Sequence, residues 1–495
     1  NHIISMATPA NYLTNANTDP RSCATLYIAT GSVLDVRYNP ASNFGIVMNS
    51  PGGNGKIRIT CSTTSNSVFA NPLGDFSSFN ANLGTTELYT TNSGSGTTYW
   101  MANGVSTYGN LLFSPLGGSN ILFPNNDVLI YGNCTETGAT ADSWLLPCWN
   151  NLYPGSVATV AKTITINGNL DIQGGAFGWY QNGAVAQNVV VKGDVKVCAT
   201  CALDGTWGGA TNQTLTIGGS LINNGNGTTN GGAGTVARVN LSNVPVIFNG
   251  NTSATISNTA GTPTTILGNV TVNKGSSQAT TLNCTIAGTL TTPVDNWLTL
   301  QNGTFQYQRA NPSTNFTIST TTNLNIPSTA GLYINYTNAS NTNVLIANTS
   351  TDADDLLLSG KLTVASGNVY IGPTTFPAFN NDIEYSGTSA AIEVTGGNLY
   401  VNGQIRRPTA TTNGSLTYTQ SGGIVTIHGN SNATALSQTR AKLEIVNSGS
   451  AFNMSGGTLT IVRGGGTTFG DLYIRPATST VTGGTIIFTN TIPNI

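Results

Sequence analysis

Three aspartates close together in the chain are the residues best suited to hold a metal ion. Asp352, Asp354 and Asp355 stand in the stretch TSTDADDLLL, and carboxylate oxygens are the hard ligands that Ca²⁺ prefers. The alternative, which we favour, is a solvated turn before the strand at Leu356. No basic residue lies close in sequence. Asp382 and Glu384 follow by about one repeat of the pattern described below, so they could stack near this group. The sequence indicates no cofactor other than Ca²⁺.

Large aromatic residues gather in the first half of the chain and could bind sugars. The residues concerned are Trp144, Trp149, Trp179, Tyr180 and Trp207. Exposed rings stack on sugar faces, which makes surface glycans a candidate partner. The alternative, which we favour, is that these rings pack loops onto the body of the protein, as large aromatic side chains usually do.

Seven cysteines indicate stapled loops in an oxidising compartment. They are Cys23, Cys61, Cys134, Cys148, Cys198, Cys201 and Cys284. We interpret Cys23–Cys61 and Cys134–Cys148 as pairs, although sequence does not fix the pairing. The spacing of Cys198–Cys201 suits zinc, but zinc needs two further ligands at matching spacing, so we favour a local disulfide. An odd count leaves at least one thiol free or paired between molecules.

The composition of the 495 residues excludes several classes of protein. Charged residues make up 7%, against about 25% in ordinary soluble domains. The formal net charge of −2 gives no electrostatic basis for binding nucleic acid. No stretch approaches the roughly 18 apolar residues that a membrane-spanning helix needs. The chain begins at Asn1 without a basic and apolar leader, which we interpret as a mature secreted chain.

A short pattern recurs along the chain and predicts the fold. Apolar residues alternate on both sides of a glycine, as in ITINGNLDI from Ile164 and VVVKGDVKV from Val189. The steps between glycines such as Gly168, Gly193, Gly218, Gly268 and Gly288 are about 20–25 residues, once doubled. Alternation puts one side of a strand inward, and stacked coils bury a continuous core. We therefore predict an all-β, right-handed parallel β-helix, or β-solenoid, with almost no helix.

A β-sandwich is the main alternative, because it also has short alternating strands. The persistent repeat and the absence of regular Asn-Gly or Asp-Gly hairpin turns count against it. Loops leave the predicted coils mainly in the N-terminal half. We divide the chain into a flanking or capping segment, 1–45, a looped solenoid bearing Cys and Trp, 46–240, and plainer coils, 241–495. Both ends are apolar without a polar cap, which predicts end-to-end self-association.

The chain resembles the repetitive β-helical surface proteins secreted by Bacteroidota, many of them exported by the type IX system. The resemblance is one of style and covers most of the chain. Such a resemblance implies an extracellular scaffold and brings no catalytic residues. It rests on Gly74-Asp75-Phe76 followed by NANLGTTE, on YGNLLF from Tyr108, FPNNDVLIYGN from Phe123, VIFNGNTSATIS from Val246 and TTILGNVTVNKG from Thr264.

The leading hypothesis is an extracellular structural protein, either a rod at the cell surface or a subunit of filaments. A carbohydrate-binding adhesin is the first alternative. A polysaccharide lyase or hydrolase is the second, but such chemistry needs paired carboxylates or a basic residue beside a metal on one face of neighbouring coils. We interpret His428 as an exterior strand residue and Arg406-Arg407-Pro408 as an exposed loop. We therefore do not expect an enzyme.

Overall fold

The chain forms two compact units. Unit 1 comprises Asn1–Ile247 and Asn258–Gly268, and unit 2 comprises Phe248–Ser257 and Asn269–Ile495. The computed structural model describes residues 3–5, 27–28, 30–31, 33–36, 52–60, 77–90, 98–101, 105–138, 144–146, 161–179, 185–205, 213–225, 239–259, 261–310, 312–337, 342–349, 354–375, 381–429, 441–462 and 471–489.

Strands dominate the described residues, which contain one short helix, α1 (Ser77–Ala81). The first strands are β1 (Ile3–Ser5), β2 (Tyr27–Ile28), β3 (Val33–Val36), β4 (Gly52–Gly53), β5 (Lys56–Thr60), β6 (Thr85–Tyr89), β7 (Thr98–Trp100), β8 (Thr107–Tyr108), β9 (Asn110–Ser114), β10 (Asn120–Leu122), β11 (Val128–Ile130), β12 (Cys134–Thr137), β13 (Trp144–Leu146), β14 (Lys162–Ile166), β15 (Leu170–Gly174), β16 (Ala176–Gly178), β17 (Gln187–Val191), β18 (Val195–Val197), β19 (Ala202–Asp204), β20 (Gln213–Ile217), β21 (Leu221–Asn223), β22 (Val239–Leu241) and β23 (Val246–Phe248).

The remaining strands continue the same pattern. They are β24 (Ala254–Ser257), β25 (Thr264–Leu267), β26 (Val270–Asn273), β27 (Thr281–Cys284), β28 (Thr289–Thr291), β29 (Leu298–Tyr307), β30 (Phe316–Thr317), β31 (Leu324–Ile326), β32 (Ala330–Asn335), β33 (Asn343–Ile346), β34 (Leu356–Leu358), β35 (Lys361–Ser366), β36 (Asn368–Ile371), β37 (Ile383–Tyr385), β38 (Ala390–Val394), β39 (Asn398–Val401), β40 (Ile405–Arg406), β41 (Leu416–Gln420), β42 (Ile424–Ile427), β43 (Leu443–Val462) and β44 (Leu472–Thr489).

Unit 1 is built from three-sided coils. Strands β14, β15 and β16 form the sides of one coil, and β17, β18 and β19 form the sides of the next. Each strand pairs in parallel with its counterpart, so that Ile164 lies beside Val189 and Leu170 beside Val195. The predicted β-solenoid is therefore confirmed.

Alternation along each strand places the core. In β14 the burial pattern alternates, with Ile164 and Ile166 fully buried and Thr163 and Thr165 half-buried. Removing one such aliphatic side chain from water stabilises the fold by about 1.5–3 kcal/mol. Because the next coil repeats the pattern, apolar side chains stack into columns inside the coils.

Glycine forms one corner of the unit 1 coils. Backbone N–H groups of Gly193 and Gly219 donate to the carbonyls of Gly168 and Gly193, both at 2.9 Å. A Cβ on Gly168 would lie 2.7 Å from the carbonyl oxygen of Gly132, which real Cβ atoms do not tolerate. The corner therefore requires glycine. Two glycines of the predicted series do not follow this corner. The residue stacked on Gly193 is Gly219 rather than Gly218, and the backbone N–H of Gly268 donates to the carbonyl of Leu241 in β22.

Unit 2 has the same three-sided coils. Strands β32, β33 and β34 form one coil, β35, β36 and β37 the next, and β38, β39 and β40 the one after. Leu332, Leu362 and Ile392 form one interior column in parallel register. Tyr307 stacks on Phe316 with 4.1 Å between ring centroids. No helix among the described residues is long and apolar enough to cross a membrane.

Candidate functional site

The densest group of ionisable side chains described in unit 2 lies where three successive strands begin. Asp355 precedes β34, Asp382 precedes β37 and Gln404 precedes β40. The backbone N–H of Asp382 donates to Asp355 Oδ1 at 2.7 Å, and that of Gln404 donates to Asp382 Oδ1 at 2.5 Å. Each carboxylate thus satisfies a backbone donor of the next coil, so the stacking of coils fixes both side chains.

An arginine binds two carboxylates of this group. Arg406 lies beside Glu384 in the parallel register of β37 and β40. Its Nε donates to Asp382 Oδ2 at 2.6 Å, and its NH2 group donates to Glu384 Oε1 at 2.8 Å. The NH1 group donates to the carbonyl of Pro408 at 3.0 Å. All three nitrogens of the guanidinium are therefore engaged within the site.

The three carboxylates lie close together, have little contact with solvent and have one cationic neighbour, Arg406. One oxygen each of Asp355, Asp382 and Glu384 lies within 4.8 Å of the others. Burial, reinforced by the charge of Asp382, raises the pKa of Asp355 to about 7. Burial also raises the pKa of Asp382 to about 6, although Arg406 opposes this shift. Both pKa values therefore lie close to neutral pH, and the two aspartates titrate as a coupled pair.

The charge of Arg406 is stabilised by the same arrangement. Burial disfavours its charged form, but the carboxylates of Asp382 and Glu384 outweigh that effect and raise its pKa. The side chains of Arg406 and Glu384 are 17% and 16% exposed, whereas that of Asp382 is 0% exposed. A cation binding here would have to displace the arginine, and a substrate could touch Glu384 but not Asp382.

The structure brings only some of the predicted metal ligands together. Asp355 joins Asp382 and Glu384, as their spacing in the chain predicts. Asp354 is buried and is not one of these three carboxylates. Asp352 lies outside the described residues.

The positions of three basic residues contradict the interpretation from sequence that they are exposed. Arg406 and Arg407 do not form an exposed loop, since Arg406 belongs to β40 and Arg407 is buried. Arg407 Nε donates to Glu444 Oε1 at 2.7 Å. His428 is also buried rather than exterior, and burial lowers its pKa to about 4. The spacing of 24 residues between Arg406 and Asp382, close to one repeat, was the signal that could have predicted the pair.

Among the aromatic candidates, Trp179 can be compared with the structure, and it follows the favoured packing interpretation rather than the sugar-binding one. Trp179 is 1% exposed, packs edge-on against Phe177 at 5.5 Å and donates its Nε1 to the carbonyl of Gln187 at 3.2 Å. It therefore belongs to the core and cannot stack on a sugar. Trp144 lies in β13, but its side chain is outside the described part of the chain. Trp149, Tyr180 and Trp207 also lie outside it.

One predicted disulfide is formed. Cys198 and Cys201 are bonded, with 5.0 Å between their Cα atoms, which excludes zinc binding by these thiolates. Cys134 is a buried free thiol, so the predicted bridge from it to Cys148 is wrong. The remaining predicted cysteines, Cys23, Cys61 and Cys148, lie outside the described residues.

A further carboxyl is buried in unit 1. Glu136 of β12 lies between Phe113 and Ile172 in the parallel register and is 0% exposed. One oxygen accepts the backbone N–H of Gly138 at 2.8 Å. Burial raises its pKa well above the ordinary value. Because no surface reaches it, Glu136 has no access to a substrate.

Comparisons of the chain with protein-family models, with curated proteins and with solved structures found no match.

Proposed function

We propose that this chain is an extracellular structural protein whose β-solenoid serves as a scaffold at the cell surface. The observation that carries the proposal is how the charged side chains are paired. In the described residues, most ion pairs join strands of adjacent coils, and the pair Lys196–Asp194 lies within one coil. A scaffold needs such contacts, whereas a catalyst needs charged groups that can reach a substrate.

The pairing recurs in both units. Glu87 on β6 accepts from Lys56 and Arg58 of β5, both at 3.0 Å. Lys361 on β35 reaches Glu393 on β38 at 2.7 Å, and Arg407 reaches Glu444 of β43 at 2.5 Å. Together with the contacts of Arg406, these pairs connect neighbouring coils. This distribution of charge supports a structural role.

Two features support an extracellular location. The disulfide between Cys198 and Cys201 is of a kind that persists in oxidising environments. With 7% charged residues, the surface relies on hydroxyl and amide groups. Immunogold electron microscopy of the cells that produce the protein tests the location. Gold particles on the outer surface are expected, and labelling confined to the cell interior would contradict the proposal.

A polysaccharide-cleaving enzyme is the second candidate, and one observation favours it. Asp355 has a pKa near 7, which suits a general acid or base at neutral pH. We rank it lower because Asp382 is fully buried and Arg406 occupies two of the three carboxylates.

One assay separates the two candidates. Purified protein is incubated with plant, algal and bacterial polysaccharides, and reducing ends are measured. The structural proposal predicts no release above buffer. Release that is lost in Asp355→Asn, but kept in the control Asp171→Asn on the half-buried β15 position of unit 1, would support the enzyme instead.

A further inference from the structure

The strand β44 leaves the interior of unit 2 open to solvent. It pairs in parallel with β43, and no strand among the described residues pairs with its other edge. The interior columns continue into it, because Met454 lies beside Val481, Leu459 beside Ile486 and Ile461 beside Phe488. Val481 is nevertheless 59% exposed, Ile486 37% and Phe488 49%. Core positions of the coil are therefore uncovered here.

Only part of this edge carries the residues that normally prevent strand pairing. Arg475 and Pro476 lie near the start of β44, and charged residues and proline protect open edges. Residues 479–488 contain neither. The unprotected edge therefore coincides with the exposed core positions, which favours another strand as its partner.

The unprotected edge is complementary to itself in the antiparallel direction. A two-fold axis between Gly483 and Gly484 places Gly483 opposite Gly484, Thr482 opposite Thr485 and Val481 opposite Ile486 of a second copy. Directly opposed residues of antiparallel strands point to the same face. Val481 and Ile486 both occupy interior columns, so they would meet on the interior side.

Glycines lie at the corner of this edge. Within unit 2, Gly422, Gly456 and Gly483 stack in successive coils, and a Cβ on Gly483 would lie 2.5 Å from the carbonyl of Ser455. A Cβ on Gly484 would lie 2.9 Å from the carbonyl of Gly456. In the parallel stack, each of these coils therefore brings glycine to the corner where it covers the preceding coil. The same segment of a second copy also brings glycine to this corner.

We infer that two copies of the chain join through residues 479–488 of β44, paired antiparallel about a two-fold axis at Gly483–Gly484. This contact is isologous, since each copy offers the same surface, and it closes after two copies. The inference rests on the structural role proposed above and names the partner of the scaffold. It differs from the head-to-tail contact that would produce a filament.

Molar mass in solution tests the inference with the full chain. Size-exclusion chromatography with light scattering is expected to give twice the mass of one chain. Val481→Lys and Ile486→Glu, made separately, should each give the mass of one chain, since each buries an unpaired charge in the contact. The control Ile424→Lys changes a side chain that is 41% exposed on β42 and should leave the dimer intact.

The combination of Val481→Lys and Ile486→Glu in one chain is the decisive variant. In the isologous contact each new ammonium group faces the new carboxylate of the other copy, so the dimer should return. Circular dichroism spectra equal to wild type show that the variants are folded. A monomeric wild type, long fibres or a double variant that stays monomeric would each overturn the inference. None of these results depends on polysaccharide cleavage or on the location of the protein, so the structural proposal is tested separately.

Discussion

The two units satisfy stacked backbone donors with series of side chains that differ in how many carboxylates follow one another. In unit 1 the series Asn133, Asn169 and Asp194 contains one carboxylate. In unit 2 the series Asn323, Asp355 and Asp382 places two carboxylates in adjacent coils. In unit 1, Asn133 accepts the N–H of Asn169 at 2.8 Å, and Asn169 accepts that of Asp194 at 2.8 Å. In unit 2, Asp355 accepts the N–H of Asp382 at 2.7 Å. An amide and a carboxylate both offer an acceptor oxygen, but the carboxylate adds a charge. The coils therefore require the acceptor and not the charge.

The charge in unit 2 makes its coils depend on a specific partner. Removing a carboxylate from water is unfavourable unless a cation or proton compensates it. Arg406 supplies the cation from the next coil. The raised pKa values of Asp355 and Asp382 show that burial still disfavours their charged forms. Amide acceptors need neither. The comparison can be tested in three ways: by removing the cation of Arg406, by removing the carboxylate of Asp355, or by introducing a carboxylate at Asn169.

Among the substitutions, removing the arginine is expected to have the largest effect. Arg406→Met leaves Asp382 buried without its cation and should lower the free energy of unfolding of unit 2 by about 3 kcal/mol. Denaturant unfolding followed by the fluorescence of buried Trp297 measures this loss. The control Lys196→Met in unit 1 removes a cation 3.8 Å from Asp194, where an exposed pair contributes less than about 1 kcal/mol. Equal losses in the two variants would contradict the comparison.

The pH dependence of unit 2 should follow the two aspartates. Their pKa values are raised from 3.8 to about 7 and about 6, so the folded state binds more protons than the unfolded state between these values. Their contribution to stability is complete below the unfolded pKa and is lost as the pH rises through 6 to 7. Unit 2 should thus be less stable at pH 8 than at pH 5 by roughly 4 kcal/mol. The measurement is denaturant unfolding at both pH values.

Asp355→Asn is the matched variant for that experiment. It keeps an oxygen for the N–H of Asp382 and removes one of the coupled charges. Most of the difference in stability between pH 5 and pH 8 should disappear. If the variant retains the full difference, other groups cause the pH dependence and the shifted pKa of Asp355 is not its source.

Introducing a second carboxylate into the series of unit 1, which already contains Asp194, should have a smaller effect. Asn169→Asp places a carboxylate directly before Asp194 in the stacked series, without an arginine opposite. Stability should fall by about 1 kcal/mol at pH 8 and by much less at pH 3, where an aspartate of ordinary pKa, about 3.9, is largely protonated. Hydrogen exchange of the β15 amides measures the change. Thr165→Ser on the outer face of β14 is the control and should show no such pH dependence.

Calcium should have the smallest effect. Because Arg406 already compensates Asp382 and Glu384, adding excess Ca²⁺ or a chelator should shift the melting temperature by less than about 1 °C. A stabilisation that grows with Ca²⁺ concentration would show that the ion displaces the arginine, since a ligand that binds only the folded state stabilises it by mass action. Differential scanning calorimetry gives the shift.

The site was predictable only in part. The spacing of Asp355 from Asp382 and Glu384 indicated one coil, and the structure brings these side chains together. The partner Arg406 was not predicted, because its segment was interpreted as an exposed loop. Its spacing of 24 residues from Asp382 indicates a neighbouring coil, but successive coils differ in length. The step from Asp355 to Asp382 is 27 residues, whereas that from Asp382 to Gln404 is 22. Loops of different length move the register, so side chains that meet cannot be assigned from spacing alone.

The sequence by itself determined the kind of coil. Alternation in stretches such as Ile164–Ile172, together with the stacking of Gly168 and Gly193, specifies parallel strands and a corner, because both are local requirements of backbone and side chain. Only the tertiary structure decided which coil lies beside which. That placement buries Trp179, pairs Arg406 with two acids and leaves the edge of β44 uncovered. Such contacts join residues far apart in the chain, and their energies depend on burial that appears only after the coils have stacked.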